Sequence, residues 1–344
     1  MMNNKEITIY DLAKQLNLSA TTVSRGLRGY EAINKKTRLR IEQLATELGY
    51  QRNKFASNLR VQRTHTIGVI VPKLNSLFIS SVLSGIEKIV NKANYNLIIS
   101  QSFEKELKEK NNVQTMFNSR VDALIISLST ETEDFGHFDG FLKKKIPIIL
   151  FDRVTDQIPS TKVVIDNFRA GYIATEHLIM QGYKDIVHIT GSMTHSVYKD
   201  RFEGYRKALD QYGIAFDPSL MLSVELTEPA LRTVLLNDVL KRDRRPDALF
   251  ITNDSCAAIA QVILGEEGLS VPDDMAIVGF NNDLISRVTS PAITTIHYPG
   301  YEMGETIGEL VIEQLTAEGG QVVNKTVILD SDLLVRSSSV RRNG

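Results

Sequence analysis

Apolar positions fall into two regimes along the chain. Over the first fifty residues they recur at helical spacing: Leu12, Ala13 and Leu16, then Val23 and Leu27, then Ile41, Leu44, Ala45 and Leu48. Each group follows a side chain suited to capping, which predicts helices from Thr8 to Leu16, from Ser19 to about Leu27, and from Asn34 to Leu48. Asn17-Leu18-Ser19 separates the first two, and Gly49 stands where a helix of this kind ends. Three short helices predict one small all-α unit over residues 1–50. Residues 51–63 are basic and poor in apolar groups, which reads as a tether, with Asn53 to Leu59 long enough for about two helical turns.

From Thr66 the period changes. Short apolar runs alternate with helical stretches: Ile67–Val71 and Ser76–Ala93, Leu97–Ser100 and Glu104–Phe117, Ala123–Ser127 and Asp134–Lys144, then Ile146–Phe151. The alternation restarts with Val163–Ile165 and a helix ending at Gly182, Ile186–Thr190 and a helix around Arg201–Gln211, Ala248–Thr252 and Cys256–Gly265, and Ala276–Phe280. Continuous β-branched runs separated by helices mean parallel strands covered on both faces. The expected core is therefore α/β, built as two open parallel-sheet lobes of similar size over residues 64–335.

Composition narrows the classes. The chain has 344 residues, 42% hydrophobic and 24% charged, which excludes disorder and small disulfide scaffolds. Cys256 is the single cysteine, so no internal disulfide is expected. No apolar run reaches the ~20 residues needed to cross a bilayer, and the first residues are polar. A cytoplasmic location with no membrane partner is expected.

The formal net charge of −1 hides an asymmetry. Residues 1–63 hold 12 basic against 5 acidic residues, a balance of +7, and the remainder holds 28 against 36, a balance of −8. A basic head on an acidic body points to a polyanion as the partner of the head.

Ligands of open α/β sheets bind beyond the carboxyl ends of the strands. Here those ends are polar: Ser127-Leu128-Ser129, Asp152-Arg153, Gly191-Ser192, Asn253-Asp254 and Asn281-Asn282-Asp283. If the two sheets face each other, these groups converge on one cleft. Carboxylate, amide and guanidinium groups, with Phe78 for stacking, suit a small polyhydroxylated ligand such as a sugar. No glycine phosphate loop, CxxC or HExxH spacing, or serine elbow occurs, so neither an enzyme nor a metal or cofactor is expected. His65, His188 and His297 lie in or near apolar runs and read as packed, His195 as a possible ligand contact, and Cys256 as a buried thiol. Asp152 and Asp254 form the one pair that an acid/base reading would use.

In the head, a helix, a three-residue turn and a second helix reading Ser19-Ala20-Thr21-Thr22-Val23-Ser24-Arg25 make a helix-turn-helix pattern. Ala20 and the Thr21 methyl suit a thymine methyl, Arg25 a guanine edge or phosphate, and Thr8, Thr22 and Ser24 phosphate oxygens. With Ile9-Tyr10-Asp11-Leu12-Ala13, Asn34-Lys35-Lys36-Thr37-Arg38, Leu48-Gly49-Tyr50 and Asn53, this head resembles that of the lactose/galactose repressor family. The resemblance continues through Ile67-Gly68-Val69-Ile70, Phe151-Asp152-Arg153, Thr252-Asn253-Asp254, Val278-Gly279-Phe280 and Pro291-Ala292-Ile293-Thr294-Thr295-Ile296, so it covers the chain from about Ile7 to Val335.

The resemblance implies a homodimeric transcription regulator, most often a repressor, that reads a pseudo-palindromic operator and responds to a small-molecule effector. It implies a hinge over residues 51–63 in which Asn53 and Ala56 meet the minor groove and Leu59 wedges into a base step, an arrangement that offsets the cost of unstacking by added contact. It implies a periplasmic-binding-protein-like core with effector contacts at Phe78, Asp152, Arg201, Asn253 and Asn281. Three crossovers between the lobes are expected near Val163–Asp166, Ser290–Thr295 and Leu329–Asp332. Residues 336–344 read as a polar tail without leucine heptads, which favours a dimer over a tetramer. A plain solute-binding protein shares the core but gives Ala20–Arg25 no role.

Overall fold

The computed structural model describes residues 7–50, 63–194, 196–317 and 323–341, and the chain divides into two units, 1–64 and 65–344. The first unit holds α1 (Ile9–Leu16), α2 (Ala20–Leu27) and α3 (Lys35–Glu47). Thr8 caps α1 by accepting from the Asp11 amide, while the Asp11 carboxylate accepts from the Thr8 amide. Ser19 and Asn34 cap α2 and α3 in the same way through the amides of Thr22 and Lys36. Asn17 turns the chain out of α1 in a left-handed conformation, φ 53°, which asparagine tolerates better than most residues. Leu12, Val23 and Ile41, one from each helix, are fully buried together and form the centre of this small core.

The second unit contains two six-stranded sheets. One is ordered β11-β5-β4-β3-β1-β2, from β1 (Thr66–Val71), β2 (Asn96–Gln101), β3 (Ala123–Ile126), β4 (Ile148–Phe151), β5 (Thr161–Ile165) and β11 (Thr326–Leu329). The other is ordered β12-β10-β9-β8-β6-β7, from β6 (Ile186–Thr190), β7 (Met221–Ser223), β8 (Ala248–Ile251), β9 (Ala276–Asn281), β10 (Thr294–His297) and β12 (Leu333–Leu334). All pairings are parallel except β10 with β12. Helices α4 (Leu77–Lys92), α5 (Glu106–Asn118), α6 (Asp139–Lys143) and α12 (Gly300–Thr316) pack on the first sheet. Helices α7 (Asn167–Met180), α8 (Ser196–Gln211), α9 (Glu228–Val234), α10 (Asp254–Glu266) and α11 (Leu284–Val288) pack on the second.

Each lobe contains a pair of helices in backbone contact. A Cβ on Gly304 of α12 would lie 2.1 Å from the Val82 carbonyl of α4, and one on Gly171 of α7 would lie 2.1 Å from the Arg201 carbonyl of α8. Glycine at these points is what lets the two helices of each pair approach.

Four expectations need correction. The stretch Asp134–Lys144 is a 3-10 turn at Gly136–Phe138 followed by the five residues of α6, because Phe135, Phe138 and Phe141 repeat every three residues and pack inward at that period. The second crossover follows β10 at 297–300, since Thr294–His297 is itself a strand of the second sheet. Residues 336–341 are not a free tail: the Arg336 guanidinium donates to the Ile293 carbonyl, and Ser338 Oγ accepts from the Thr294 amide and donates to the Ile277 carbonyl. These bonds bury Ser338 and Ser339 completely. Finally, β7, α9 and the π-helical turn Leu235–Val239 occupy the stretch before β8 that carried no predicted element.

Candidate functional site

In the head, Thr21 and Arg25 are exposed along α2, with Ala20, Thr22 and Ser24 half-buried. Val23 and Gly26 turn inward instead, with Val23 fully buried beside Ile41. The α2 surface thus presents the Ala20 methyl, the hydroxyls of Thr21, Thr22 and Ser24, and a guanidinium along one short helix. Thr22 Oγ1 and Ser19 Oγ share a hydrogen bond of 2.8 Å, and Thr8 Oγ1 donates to Asp11, so both hydroxyls are oriented by the caps. Tyr10, 73% exposed on α1, adds an aromatic that spacing did not single out as a contact. Asn53, Ala56 and Leu59 lie outside the described residues, as does His195.

In the second unit, a cleft of about 810 Å³ opens between the lobes. The five expected residues Phe78, Asp152, Arg201, Asn253 and Asn281 all line it. Each stands where a strand gives way to a loop or on the first turns of the next helix.

Arg201 is the centre of the cleft and is 3% exposed. Its Nε donates to Asn167 Oδ1 at 2.8 Å, and Nη1 donates to the Thr252 carbonyl at 3.2 Å. Its guanidinium carbon lies 3.6 Å from the Phe280 ring centroid and farther from Tyr198 and Tyr298. Burial lowers its basicity, and the neighbouring Tyr298, Tyr198 and Asp152 oppose that effect. Among the described residues no carboxylate forms an ion pair with it.

Asp152 leaves β4 in a left-handed conformation, φ 57°, and its Oδ1 accepts from the Tyr298 hydroxyl at 2.8 Å. Tyr298 is buried, and burial pushes its hydroxyl well above the ordinary tyrosine range. Phe78 stacks on Tyr298 with centroids 4.2 Å apart, so one of its faces is already occupied. Asn253 caps α10 through Oδ1, which accepts from the Cys256 amide at 2.7 Å and leaves its amide group free of that role. Asn281 Nδ2 donates to Asp283 Oδ2 at 3.3 Å.

Two ion pairs stand at the mouth of the cleft, beside Lys73, Glu225 and Asp283 in its lining. Arg153 bridges to Glu104 at 2.6 Å, and Glu104 also accepts from the amide and hydroxyl of Thr130. Burial opposes the Arg153 charge, but Tyr198, Glu104 and Asp152 outweigh it and raise its basicity. Lys105 pairs with Glu131. Thr194 of the second lobe donates to the Thr130 carbonyl of the first at 3.5 Å, across the opening.

The structure separates other candidates from the cleft. Ser127 and Ser129 are fully buried rather than at its surface, because the Ser129 amide donates to buried Glu109 and draws the strand end inward. Asp254 is also fully buried and faces Thr295, so it cannot act with Asp152 on one ligand as an acid/base couple. His65 is exposed at φ 52° beside Tyr95, against the packed reading, while His188 is fully buried. Cys256 is buried, its thiol pushed up to about 11 by burial, which leaves it unreactive. Arg153 lines the cleft as its strand end suggested, while Tyr298, Tyr198 and Glu104 line it without having been singled out. Of these, Tyr298 carried a signal: a tyrosine directly after β10, where the chain leaves the sheet.

Comparison with known proteins gives two family matches. Residues 8–53 match the model for bacterial regulatory proteins of the lacI family, and residues 175–339 match a periplasmic binding protein-like domain. Catabolite control protein A of Priestia megaterium is 31% identical over 318 residues, covering 91% of this chain and 93% of that protein. A lacI-family regulator of Enterococcus faecium with bound ribose is 27% identical, with a TM-score of 0.70, covering 80% of this chain and 98% of that one. The lac repressor dimer bound to operator and an anti-inducer shares the fold at a TM-score of 0.81 and 22% identity, covering 98% of this chain and all of that one. No helix among the described residues is long and apolar enough to cross a membrane.

Proposed function

The chain belongs to the lacI family of bacterial regulatory proteins and is a DNA-binding transcription regulator rather than an enzyme; from that premise we propose that a sugar or sugar derivative in the interlobe cleft sets its operator affinity. The observation that carries the reading is Arg201: a buried guanidinium, fixed by a ring face and two acceptors, with further donors unspent at the cleft. Hydroxyl groups suit such donors, and Asp152 and Asn253 supply the complementary acceptor and amide. The ribose held by the Enterococcus faecium relative fits this class.

Within this reading, residues 1–50 read operator half-sites through Ala20, Thr21 and Arg25 and hold phosphates through Thr8, Thr22 and Ser24. Residues 51–63 act as hinge, with Asn53, Ala56 and Leu59 at the minor groove. The core serves sensing and homodimerisation, and the assembly represses by occupying a pseudo-palindromic site in the cytoplasm. Exposed apolar side chains support the dimer: Leu77, Ile98, Ile99 and Phe103 near edge strand β2, and Leu284 and Val288 on α11. Effector binding changes lobe closure, and the coupling to DNA is a free energy shared between two sites.

Calorimetric titration of the full chain with D-ribose and cellobiose, backed by a thermal-shift panel of sugars, tests the reading. One bound sugar per chain, lost in Arg201→Ala, is expected. A panel in which no sugar shifts the melting temperature overturns the effector class.

A further inference from the structure

The cleft residues Asn281 and Asp283 sit on a turn with an unusual backbone. Asn281 and Asn282 have consecutive positive φ values of 111° and 57°. Neither is glycine, and two such conformations in succession persist where the surroundings hold them. Two groups from behind the cleft hold this turn. Thr295 Oγ1 accepts from the Asn282 amide at 3.2 Å and donates to Asp254 Oδ1 at 2.7 Å. Asp254 Oδ2 accepts from the Asp283 amide at 2.8 Å. Consecutive amides of the turn are thereby tied to one buried dyad.

The Asn282 side chain ties the turn to two other places. Its Oδ1 accepts from Arg336 Nη2 at 2.7 Å, and its Nδ2 lies 3.2 Å from His297 Nδ1. His297 ends β10 where the chain crosses to the first lobe, and Arg336 follows β12 just after the chain has crossed back. The space for the carboxyl is reserved in the sequence: a Cβ on Gly279 would lie 2.2 Å from Asp254 Oδ1.

We infer that Asp254 is a positioning residue of the effector cleft: without touching the ligand, it holds the Asn281–Asp283 turn in register with the crossover that leaves β10. This deepens the assignment of the cleft as the effector site and rests on it for the word effector, though not for the role of Asp254 in the turn.

Chemistry of the carboxyl sharpens the inference. Burial pushes Asp254 up to about 7, the nearby Asp283 adds to the rise, and the bonds from Thr295 and the Asp283 amide and the Arg336 charge oppose it. The other charged or titratable groups around the turn are His297, on β10, and Arg287, on α11. As a carboxylate, Asp254 accepts from both Thr295 and the Asp283 amide with full charge. As an acid it keeps one acceptor and offers a proton, so the hold on the turn weakens without disappearing.

Hydrogen exchange of the full chain at pH 8 and pH 6, corrected for intrinsic rates, reads the Asn282 and Asp283 amides directly. In the wild type their protection should fall roughly five- to tenfold from pH 8 to pH 6, while the β8 amides stay unchanged. Asp254→Asn, an isosteric copy of the acid form, should show the pH 6 value at both pH values, and Asp254→Ala should lose the protection. Wild-type protection that is absent overturns the inference even if a variant fails to fold, as does an Asp254→Asn or Asp254→Ala variant that keeps full wild-type protection at pH 8. Calorimetry with D-ribose and cellobiose runs beside this: a wild type that binds neither weakens the effector assignment, while the exchange data still decide the role of Asp254.

Discussion

The guanidinium carbon of Arg201 lies 3.6 Å from the centroid of the Phe280 ring, with both side chains closed off from solvent. A desolvated cation over an aromatic face gains about 2 kcal/mol, and the plane of the guanidinium is what allows the stack. Arg201→Lys keeps the charge but loses the plane and the fork of donors. Sugar affinity measured by calorimetry should drop at least tenfold, with operator binding in a gel-shift assay retained and no longer relieved or enhanced by the ligand. Phe280→Leu keeps every hydrogen bond of Arg201 and should give a smaller loss in the same assay; no loss at all would show that the ring contributes nothing specific.

Gly171 controls where Arg201 sits. The Cβ of an alanine would lie 2.1 Å from the Arg201 carbonyl, so Gly171→Ala must push α8 away from α7. The cost in thermal unfolding should be about 1–3 kcal/mol, together with a loss of sugar binding. Gly304→Ala makes the matching clash between α12 and α4 in the other lobe, also at 2.1 Å, but leaves α8 in place. It should destabilise comparably and spare affinity far more. If both variants lose affinity in proportion to stability, the helix approach has no particular role in placing Arg201.

Arg25 is exposed on α2, so its loss removes little packing. Arg25→Ala should weaken operator binding by about 1–3 kcal/mol while leaving the melting temperature unchanged. With +7 of charge within residues 1–63, operator affinity should also fall steeply with salt, following the phosphates neutralised. If Arg25 holds a phosphate, the salt slope of the variant becomes shallower by about one and all sequences lose equally. If it reads a base, the slope changes less and the preference at one base pair relaxes. Fluorescence anisotropy on specific and scrambled duplexes at several salt concentrations separates the outcomes.

Much of this architecture was legible because caps and apolar periods are local. Thr8, Ser19 and Asn34 each cap the helix that their position announced, and the β-branched runs from Ile67 to Phe280 are strands. What escaped depends on distance in space. Nothing near Ser338 in sequence says that its hydroxyl will join Thr294 to Ile277, so the last residues read as a tail. The strand ends did bring Asp152, Asn253 and Asn281 to one cleft, because side chains following parallel strands project to a shared edge. Ser127 and Ser129 obeyed the same rule on paper but are pulled inward by Glu109, a buried carboxylate that sits in a polar helix and gave no hydrophobic signal. Tyr298 entered the site through its bond to Asp152, a partner 146 positions away.

Two buried groups should make the pH dependence of stability deceptively flat. His188 stacks among Tyr205, Phe250 and Phe202, and burial lowers its imidazole to about 3. Between that value and about 6.5 the unfolded chain binds the proton and the folded chain does not, so this residue makes stability rise with pH. Asp254 is raised to about 7, and between about 4 and 7 the folded chain holds a proton that the unfolded chain releases, so stability falls with pH. Each slope is at most about 1.4 kcal/mol per pH unit, and in the shared window from about 4 to 6.5 they oppose. Chemical denaturation of the wild type should therefore vary little between pH 4.5 and 6.5. His188→Phe should expose the Asp254 contribution as a loss of stability with rising pH, and Asp254→Asn should expose the His188 contribution as a gain. Variants whose slopes both match the wild type would mean that neither group titrates differently on folding, and the sign of each slope identifies which burial is responsible.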